Sequence, residues 1–252
     1  MLNPLDLSHR RYLITGAASG IGKATSILLS RLGAELMLVD INEEGLRKTQ
    51  SECESKTYTL PLDLIQSSLI KPSLDKAVSE FGKLNGFAHI AGIPCICPLR
   101  TVEEEMVEKV YKINTYAALE LAKVLSSKKI YAGEKGSFVL ISSVYGIVGS
   151  AANVGYAMSK GAIISMTKAL AIELVTKNIR VNCVAPGFIQ TKMMGDVSSH
   201  FDDDYLDRLN DLHPMGLGRP EDIANGVAFL LSDMSSWMTG AVLNVDGGFT
   251  AQ

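Results

Sequence analysis

Seven short apolar runs, separated by longer amphipathic segments, recur along almost the whole of this 252-residue chain. The runs lack the strict alternation of apolar and polar residues that marks a half-solvated strand, and are typical of strands buried on both faces. They are YLIT at 12–15, ELMLVD at 35–40, TYTLPL at 57–62, GFAHIA at 86–91, FVLISS at 138–143, RVNCVAP at 180–186 and AVLNVD at 241–246. Strand–helix alternation of this kind predicts an α/β fold, with a doubly wound, seven-stranded parallel sheet and helices on both faces.

The amphipathic segments predict the helices and the domain organisation. The helices are expected at about 21–32, from Glu43 onward, at 67–81, 103–127, 153–176 and 220–232. No repeat, low-complexity linker or shift in composition divides the chain, so we expect a single domain over residues 1–252.

The segment from Thr191 to Arg219 departs from this pattern, because acids and methionines cluster there. An insertion between a strand and the next helix lies at the edge of the sheet where doubly wound folds bind ligands. We expect residues 191–219 to cover a substrate site and to be helical in part. The alternative is that residues 191–219 form an ordinary surface loop, which would have the same composition.

Composition and charge argue against several classes of function. Hydrophobic residues make up 47% and charged residues 20%, which is ordinary for a soluble globular protein. The formal net charge is −3 and no block of Lys or Arg stands out, so no nucleic-acid partner is expected. Asp6 and a pair of arginines occupy the place where a signal peptide would be apolar, and no run approaches the roughly 20 apolar residues of a membrane span. We therefore expect a cytoplasmic protein without a membrane partner.

The four cysteines predict neither a metal site nor a disulfide. Cys95 and Cys97 form one C-x-C pair, and Cys53 and Cys183 supply no second pair at the spacing of metal ligands. Free thiols in a reducing compartment are the expectation.

A glycine-rich turn follows the first predicted strand and precedes the first predicted helix. Its sequence is TGAASGIG, with glycines at 16, 20 and 22. Glycines at such a turn let backbone N–H groups approach a pyrophosphate, and the helix N-terminus adds a favourable partial charge. The turn therefore predicts a dinucleotide site.

Asp40 ends the second predicted strand, 20 residues after Gly20, where an acid would bond both hydroxyls of an adenosine ribose. A 2′-phosphate at that place would face like charge, and the neighbouring Ala17, Ala18 and Ile41 supply no cation. This predicts NAD(H) rather than NADP(H). A helix-capping acid in DINEEG is the alternative for Asp40.

Tyr156 and Lys160 lie four residues apart in the helical segment at 155–174. The spacing alone arises by chance, and both residues could be half-buried side chains whose polar tips reach solvent. A lysine one helical turn away, however, lies on the same face as the tyrosine. One cation at about 4–6 Å lowers a pKa by roughly 1–3 units from the phenol's usual value of about 10. We expect Lys160 to lower the pKa of Tyr156 and make it a proton donor or acceptor near neutral pH.

Ser143 lies at the carboxyl end of FVLISS, 13 residues before Tyr156. The intervening loop is long enough to bring its hydroxyl over the start of the next helix. Ser143 could then hold a carbonyl oxygen of the substrate, or it could simply end a strand.

Together these residues resemble the short-chain dehydrogenases/reductases, in order and at the family's spacing over nearly the whole chain. The matching positions are Thr15-Gly16-x-x-x-Gly20-x-Gly22, Asp40, Asp63, Ala91-Gly92, Asn114, Ser143, Tyr156-x-x-x-Lys160, Pro186-Gly187 and Asp246-Gly247-Gly248. The part from Gly216 to Gly248 is similar to the 3-oxoacyl-[acyl-carrier-protein] reductase branch. The resemblance implies a single-domain Rossmann fold and an oxidoreductase that interconverts a secondary alcohol and a ketone.

The resemblance also implies roles for individual residues. Tyr156 would be the acid/base, Lys160 would also bond the nicotinamide ribose, and Ser143 would bond the substrate oxygen. Asn114 would hold a kinked helix and a water that links Lys160 to solvent. The further expected cofactor contacts are Ser19 and Ile21 in the glycine-rich turn, Ile41 beside Asp40, Asp63 and Leu64 at the adenine, Ala91 and Gly92 along the cofactor, and Pro186, Gly187, Ile189 and Thr191 at the nicotinamide, with Thr191 bonding its carboxamide.

One motif departs from the family pattern. Family members commonly carry Asn-Asn-Ala-Gly after the fourth strand, where this chain has His89-Ile90-Ala91-Gly92. The hydrogen bonds that usually brace the sheet centre are therefore in doubt. A strand histidine in GFAHIA is more often a satisfied core residue than a catalytic imidazole. Cys95 and Cys97, just after this turn, could line the mouth of a substrate site.

Two other functions remain open at this point. A regulatory protein could keep the nucleotide fold without turnover, although Ser143, Tyr156 and Lys160 are all present. A sugar-nucleotide epimerase or dehydratase shares the Tyr/Lys pair but usually has a separate substrate domain. Family members are often homotetramers or homodimers that pair the helices near 103–127 and 153–176. The sequence leaves the identity of the carbonyl or alcohol substrate open.

Overall fold

The computed structural model describes residues 4–191 and 211–251. Seven parallel strands form one sheet in the order β3-β2-β1-β4-β5-β6-β7, which confirms the predicted fold class. The strands are β1 Arg11–Thr15, β2 Glu35–Asp40, β3 Thr57–Pro61, β4 Gly86–His89, β5 Gly136–Ile141, β6 Ile179–Pro186 and β7 Val242–Val245.

Helices cover both faces of this sheet. They are α1 Gly20–Arg31, α2 Glu43–Glu52, α3 Ser67–Phe81, α4 Glu104–Tyr111, α5 Ala117–Leu125, α6 Val154–Leu174 and α7 Pro220–Leu231. Among the described residues, no helix is both long enough and apolar enough to cross a bilayer.

Two apolar cores flank the sheet, and neighbouring residues of one strand belong to different cores. Leu13 of β1 packs with the core beneath α3, α5 and α6, where Leu121 and Ile163 are fully buried. Its neighbours Tyr12 and Ile14 pack with the opposite core, which α1, α2 and α7 cover. Since successive strand residues point to opposite faces, a sheet covered on both faces needs apolar residues at every position. This explains the unbroken apolar runs of the sequence.

The strand order reverses between β1 and β4, which pair side by side although the chain visits β2 and β3 between them. The loops after these two strands diverge to opposite sides and leave a crevice at the carboxyl edge of the sheet, where such folds bind ligands. Thr15 pairs with His89 at this point. The glycine-rich turn and the turn at residues 90–92 therefore meet at the crevice.

The segment predicted as one helix at 103–127 is interrupted in the structure. A π turn at Lys112–Tyr116 separates α4 from α5. β4 and β5 also end two residues earlier than predicted, at His89 and Ile141, so that Ser142 and Ser143 lie beyond the strand. Most of the expected cover at 191–219 lies outside the described residues.

Candidate active site

Two adjoining cavities lie along the carboxyl edge of the sheet. The larger, of about 460 Å³, contains the glycine-rich turn and Asp40. The smaller, of about 180 Å³, contains Ser143, Tyr156 and Lys160. Ile21, Ile90, Gly92 and Thr191 line both cavities, so the two are continuous.

Every residue predicted to bind cofactor or substrate lines one of these cavities, apart from Asn114. The larger cavity brings together Gly16, Ser19, Gly20, Ile21, Gly22, Asp40, Ile41, Asp63, Leu64, Ala91, Gly92 and Thr191. The smaller one brings together Ser143, Tyr156, Lys160, Pro186, Gly187, Ile189 and Thr191. Residues from seven separate segments of the chain thus converge on one connected space.

The glycine-rich turn folds tightly enough to exclude side chains at two positions. A Cβ on Gly22 would lie 2.0 Å from the carbonyl oxygen of Gly16. Gly16 has φ +68° in the left-handed region, and a Cβ there would lie 2.9 Å from the backbone nitrogen of Ala91. Ser19, the N-cap of α1, makes no side-chain capping bond. The first N–H groups of α1 are therefore left to bind an anion, so the turn fits the pyrophosphate of a dinucleotide.

Asp40 joins the end of β2 to the glycine-rich turn. Its Oδ2 accepts a hydrogen bond from the Ala18 N–H at 3.1 Å, and its Oδ1 accepts from the Asn42 N–H at 3.0 Å. Each carboxylate oxygen keeps a second lone pair that can accept from a ribose hydroxyl. Asn42, and not Asp40, caps α2, because its side chain accepts from the Gly45 N–H. The alternative that Asp40 caps the helix after β2 is therefore wrong, because Asn42 does so.

Lys160 is buried beneath the smaller cavity. Its Nζ donates to the carbonyl oxygen of Ile141 at 2.9 Å and lies 5.7 Å from the centre of the Tyr156 ring. A Cβ on Gly92 would lie 3.4 Å from this Nζ, so the ammonium group faces the same glycine that lines both cavities. Burial lowers the pKa of Lys160 to about 8, which leaves it mainly protonated at neutral pH.

The expected lowering of the Tyr156 pKa is wrong for the protein alone. Burial raises this pKa to about 12, while the interaction with the Ser143 side chain lowers it and the neighbouring Tyr145 raises it. The desolvation of a buried phenolate outweighs the favourable interactions, and the Lys160 ammonium donates to Ile141 instead. The phenol therefore keeps its proton at neutral pH, the state required of a proton donor.

Asn114 lies in the π turn and connects three elements near Lys160. Its Oδ1 accepts from the Ile93 N–H at 2.9 Å, and its Nδ2 donates to the Ile93 carbonyl and to Ser159 Oγ, both at 3.1 Å. A Cβ on Gly92 would lie 3.1 Å from Asn114 Oδ1, so Asn114 and Lys160 face the same glycine. π turns inside helices occur often at functional sites.

His89 braces the centre of the sheet where the family commonly has asparagine. Thr15 Oγ1 accepts from the N–H groups of Ile90 and Ala91, so its own proton is left for His89 Nδ1, 3.0 Å away. His89 Nε2 then carries the ring proton and donates to the carbonyl oxygen of Ile113 in the π turn, at 3.1 Å. His89 lines neither cavity. It is a satisfied core residue that ties β1 and β4 to the π turn that carries Asn114.

Because His89 is buried in its neutral form, we expect the free energy of unfolding to fall in acid. Burial, with a smaller contribution from the charge of Lys160, lowers the pKa of His89 to about 3, whereas the unfolded chain has a pKa of about 6.5. The neutral ring therefore stabilises the fold above pH 6.5, and this contribution is lost progressively as the pH falls toward 3. Compared with His89→Asn, the wild type should lose about 2 kcal/mol more unfolding free energy between pH 7.5 and pH 5. Urea unfolding at both pH values measures this, and parallel losses in the two proteins would contradict it.

Comparisons of the sequence with known proteins agree with the function that this arrangement of residues indicates. A family profile described as enoyl-(acyl carrier protein) reductase matches residues 16–250. The 3-oxoacyl-[acyl-carrier-protein] reductase FabG of Thermotoga maritima is 38% identical over 248 residues, which cover 97% of this chain and 99% of the relative. The chain belongs to the short-chain dehydrogenase/reductase family.

Solved structures of short-chain dehydrogenases/reductases superpose closely on this chain. One from Beutenbergia cavernae, proposed to be an NAD(P)-dependent gluconate 5-dehydrogenase and holding NADP at low occupancy, has a TM-score of 0.93 at 28% identity, covering 99% of this chain and 100% of the other. A 4-hydroxyisoleucine dehydrogenase complexed with NADH has a TM-score of 0.88 at 28% identity, covering 97% and 100%. As a short-chain dehydrogenase/reductase, this protein is an oxidoreductase that interconverts alcohols and ketones with a nicotinamide cofactor.

Several residues of the smaller cavity were not predicted from the sequence. They are Ile90, Pro94, Ile96, Ile141, Ser142, Val144, Tyr145, Asn153 and Phe188. Phe188 directly follows the Pro186-Gly187 motif and Asn153 precedes Tyr156 by three residues, so proximity to known motifs was the available signal. Cys95 and Cys97, expected as candidates for the mouth of the site, line neither cavity. Both are buried, with Cys97 Sγ 3.1 Å from the Thr101 carbonyl oxygen.

His213, near the start of the second described range, packs against the turn after β6. The N–H of Phe188 donates to His213 Nε2 at 3.2 Å. The rings of Tyr145, Phe188, His213 and Phe249 contact one another at centroid distances of 4.9–6.3 Å. Tyr145 and Phe188 of this aromatic cluster line the smaller cavity, and the cluster packs against the turn after β6.

Proposed function

We propose that this protein is an NAD(H)-dependent oxidoreductase that interconverts a secondary alcohol and a ketone, with Tyr156 as the acid/base. The observation that carries the proposal is the convergence of Ser143, Tyr156 and Lys160 on a cavity continuous with the one that contains the glycine-rich turn and Asp40. A proton donor and a dinucleotide site then share one space, as a coupled transfer of hydride and proton requires.

In ketone reduction, the bound nicotinamide supplies the hydride that the carbonyl carbon accepts. The Ser143 hydroxyl orients the carbonyl oxygen, and Tyr156 gives its phenolic proton to that oxygen as the alcohol forms. The raised pKa of Tyr156 keeps this proton in place before reaction. The ammonium of Lys160 stabilises the tyrosinate left behind. Asn114 holds the backbone opposite Lys160 and is the proposed anchor of a water that returns the proton.

The preference for NAD(H) rests on Asp40. Its carboxylate can accept hydrogen bonds from two ribose hydroxyls but would repel a 2′-phosphate. The one cation among the described residues lining the larger cavity, Lys109, lies on α4 and not in either loop beside Asp40. Related structures hold NADP in two cases and NADH in one, so the family alone does not decide the cofactor.

The substrate is proposed to be a small carbonyl compound and not an acyl chain on a carrier protein, as in the Thermotoga relative's name. The phosphate of a carrier's phosphopantetheine favours Lys or Arg at its site. The sequence of residues 191–219 contains six aspartates against three Lys or Arg residues. Residues 4–191 and 211–251 form one sheet with its covering helices and no second substrate domain, which disfavours the epimerase alternative.

We further propose a homotetramer or homodimer that pairs the face formed by α5 and α6. Met158 of α6 and Tyr116 at the start of α5 are more than half exposed, and so is Ile172. An apolar face of this kind is typical of helices that pack against their copies.

Hydride transfer to a panel of ketones tests the proposed function. We expect NADH to be oxidised in the presence of at least one small ketone, with a higher kcat/KM than for NADPH, measured by the loss of reduced-nicotinamide absorbance. The panel contains cyclohexanone, 2-hydroxycyclohexanone, 2-butanone and acetoin. Binding of NADH without oxidation by any of them would instead support the regulatory alternative.

A further inference from the structure

Asn153 is a largely buried residue whose side-chain amide makes no hydrogen bond within the described part of the chain. The residue is only 7% exposed and lines the smaller cavity together with Ser143 and Tyr156. It is the N-cap of α6, and its carbonyl oxygen accepts from the Ala157 N–H at 2.8 Å. Its side chain makes no capping bond, nor any hydrogen bond with another residue of the described chain. The amide is not one of the buried unpaired polar atoms of the described chain, so it is accessible and can bind a polar group of a ligand that enters the cavity.

The local backbone holds Asn153 in this place at some cost. The preceding residue, Ala152, has φ +56°, a left-handed conformation that is unfavourable for a non-glycine residue. The carbonyl oxygen of Ala152 accepts from the Cys97 N–H at 2.8 Å, which fixes the loop against the opposite wall. Strained residues persist where the surrounding structure holds them, often at ligand sites.

The position of Asn153 relative to Tyr156 limits what it can contact. Asn153 is the N-cap of α6 and Tyr156 is its third residue, and both line a cavity of only about 180 Å³. A ligand oxygen bonded to Asn153 therefore lies close to the oxygen that receives the Tyr156 proton. This spacing fits an oxygen on the carbon next to the reacting carbonyl or one carbon further along.

The rest of the cavity indicates that this second group is uncharged. Lys160 is the only charged side chain among the described residues that line it, and its ammonium donates to Ile141. Ile90, Ile96 and Phe188 supply apolar walls. A carboxylate buried here would lose its hydration without a cation of its own. An amide, which both donates and accepts, suits a hydroxyl or a carbonyl oxygen.

We propose that Asn153 is a specificity-determining residue that binds a second, uncharged oxygen of the substrate. The preferred substrates are then hydroxyketones or diketones, whose second oxygen lies one or two carbons from the reacting carbonyl, and not simple ketones or keto acids. This inference rests on the proposed function, since it concerns the substrate of the same reaction.

Matched ketone pairs test the inference in the intact protein. The probes are acetoin against 2-butanone and 2-hydroxycyclohexanone against cyclohexanone, each with NADH and NADPH. The variant is Asn153→Leu, which keeps the size of the side chain but removes both hydrogen-bonding functions. The matched control is Ser150→Ala in the same loop, because Ser150 lines neither cavity. Thermal unfolding and NADH binding establish that both variants fold.

We expect the wild type to have a higher kcat/KM for the hydroxyketone of each pair. Asn153→Leu should lower the ratio of hydroxyketone to plain-ketone kcat/KM by about 10–100-fold, and Ser150→Ala should leave the ratio at the wild-type value. An equal ratio in the wild type and Asn153→Leu overturns the inference but leaves the proposed function standing. A wild type that reduces none of the four ketones with either cofactor overturns both.

Discussion

Tyr156→Phe should lower kcat for ketone reduction by about 10³-fold, because general acid catalysis typically contributes 10²–10⁴-fold. The substitution removes one oxygen and keeps the ring that lines the smaller cavity, so binding of cofactor and substrate should change little. The carbonyl oxygen would then lack its proposed proton donor. Steady-state kinetics with NADH measures kcat, and fluorescence titration of NADH measures cofactor binding.

Tyr145→Phe is the matched control for this prediction. Tyr145 lines the same cavity and belongs to the aromatic cluster with Phe188 and Phe249, but its hydroxyl has no proposed part in proton transfer. We expect its kcat to stay within about threefold of the wild type. A Tyr156→Phe variant as active as Tyr145→Phe would refute the assignment of the acid/base.

The second large effect is expected at Asp40. Asp40→Ala should lower kcat/KM for NADH by about 10–100-fold, since hydrogen bonds to a charged group contribute roughly 1.5–3 kcal/mol. The same change removes the repulsion that disfavours a 2′-phosphate, so kcat/KM for NADPH should rise. The ratio of the two kcat/KM values should therefore shift by at least about 10²-fold toward NADPH. Parallel assays with both cofactors measure the ratio.

Two further variants separate charge from structure at this site. Asp40→Asn removes the charge but keeps an oxygen that can accept from the Ala18 N–H, so it should raise the activity with NADPH with less loss of activity with NADH. Asp63→Asn removes a charge from the same cavity, at the position expected to contact the adenine, and should change both cofactors alike. An unchanged preference in Asp40→Ala would count against the proposal of NAD(H).

The sequence predicted the seven strands to within about two residues at each end, because double burial leaves a signature in every strand. Its helical pattern did not predict the break in the helix at 103–127, although the family resemblance implied a kink at Asn114. The π turn at Lys112–Tyr116 depends on bonds from distant residues, since His89 donates to its backbone and Asn114 reaches Ile93. Helical periodicity reports only neighbours three or four residues away, and cannot register such contacts.

Whether His89 supplies the bracing hydrogen bonds of the missing asparagines was likewise decided only by the tertiary structure. The sequence showed that the family's asparagines were missing, but not that one imidazole could bridge Thr15 and Ile113. The pKa of Tyr156 was predicted in the wrong direction for a related reason. The spacing to Lys160 was known, whereas the burial that dominates the shift was not.

The sequence by itself determined the sheet, the order of its elements and the family, because these depend on local patterning and on motifs at fixed spacing. The tertiary structure alone decided which side chains share a cavity, which carry a proton and which lack a partner. Those properties depend on desolvation and on contacts between residues far apart in the chain, such as the placement of Asn153 beside Ser143 and Tyr156.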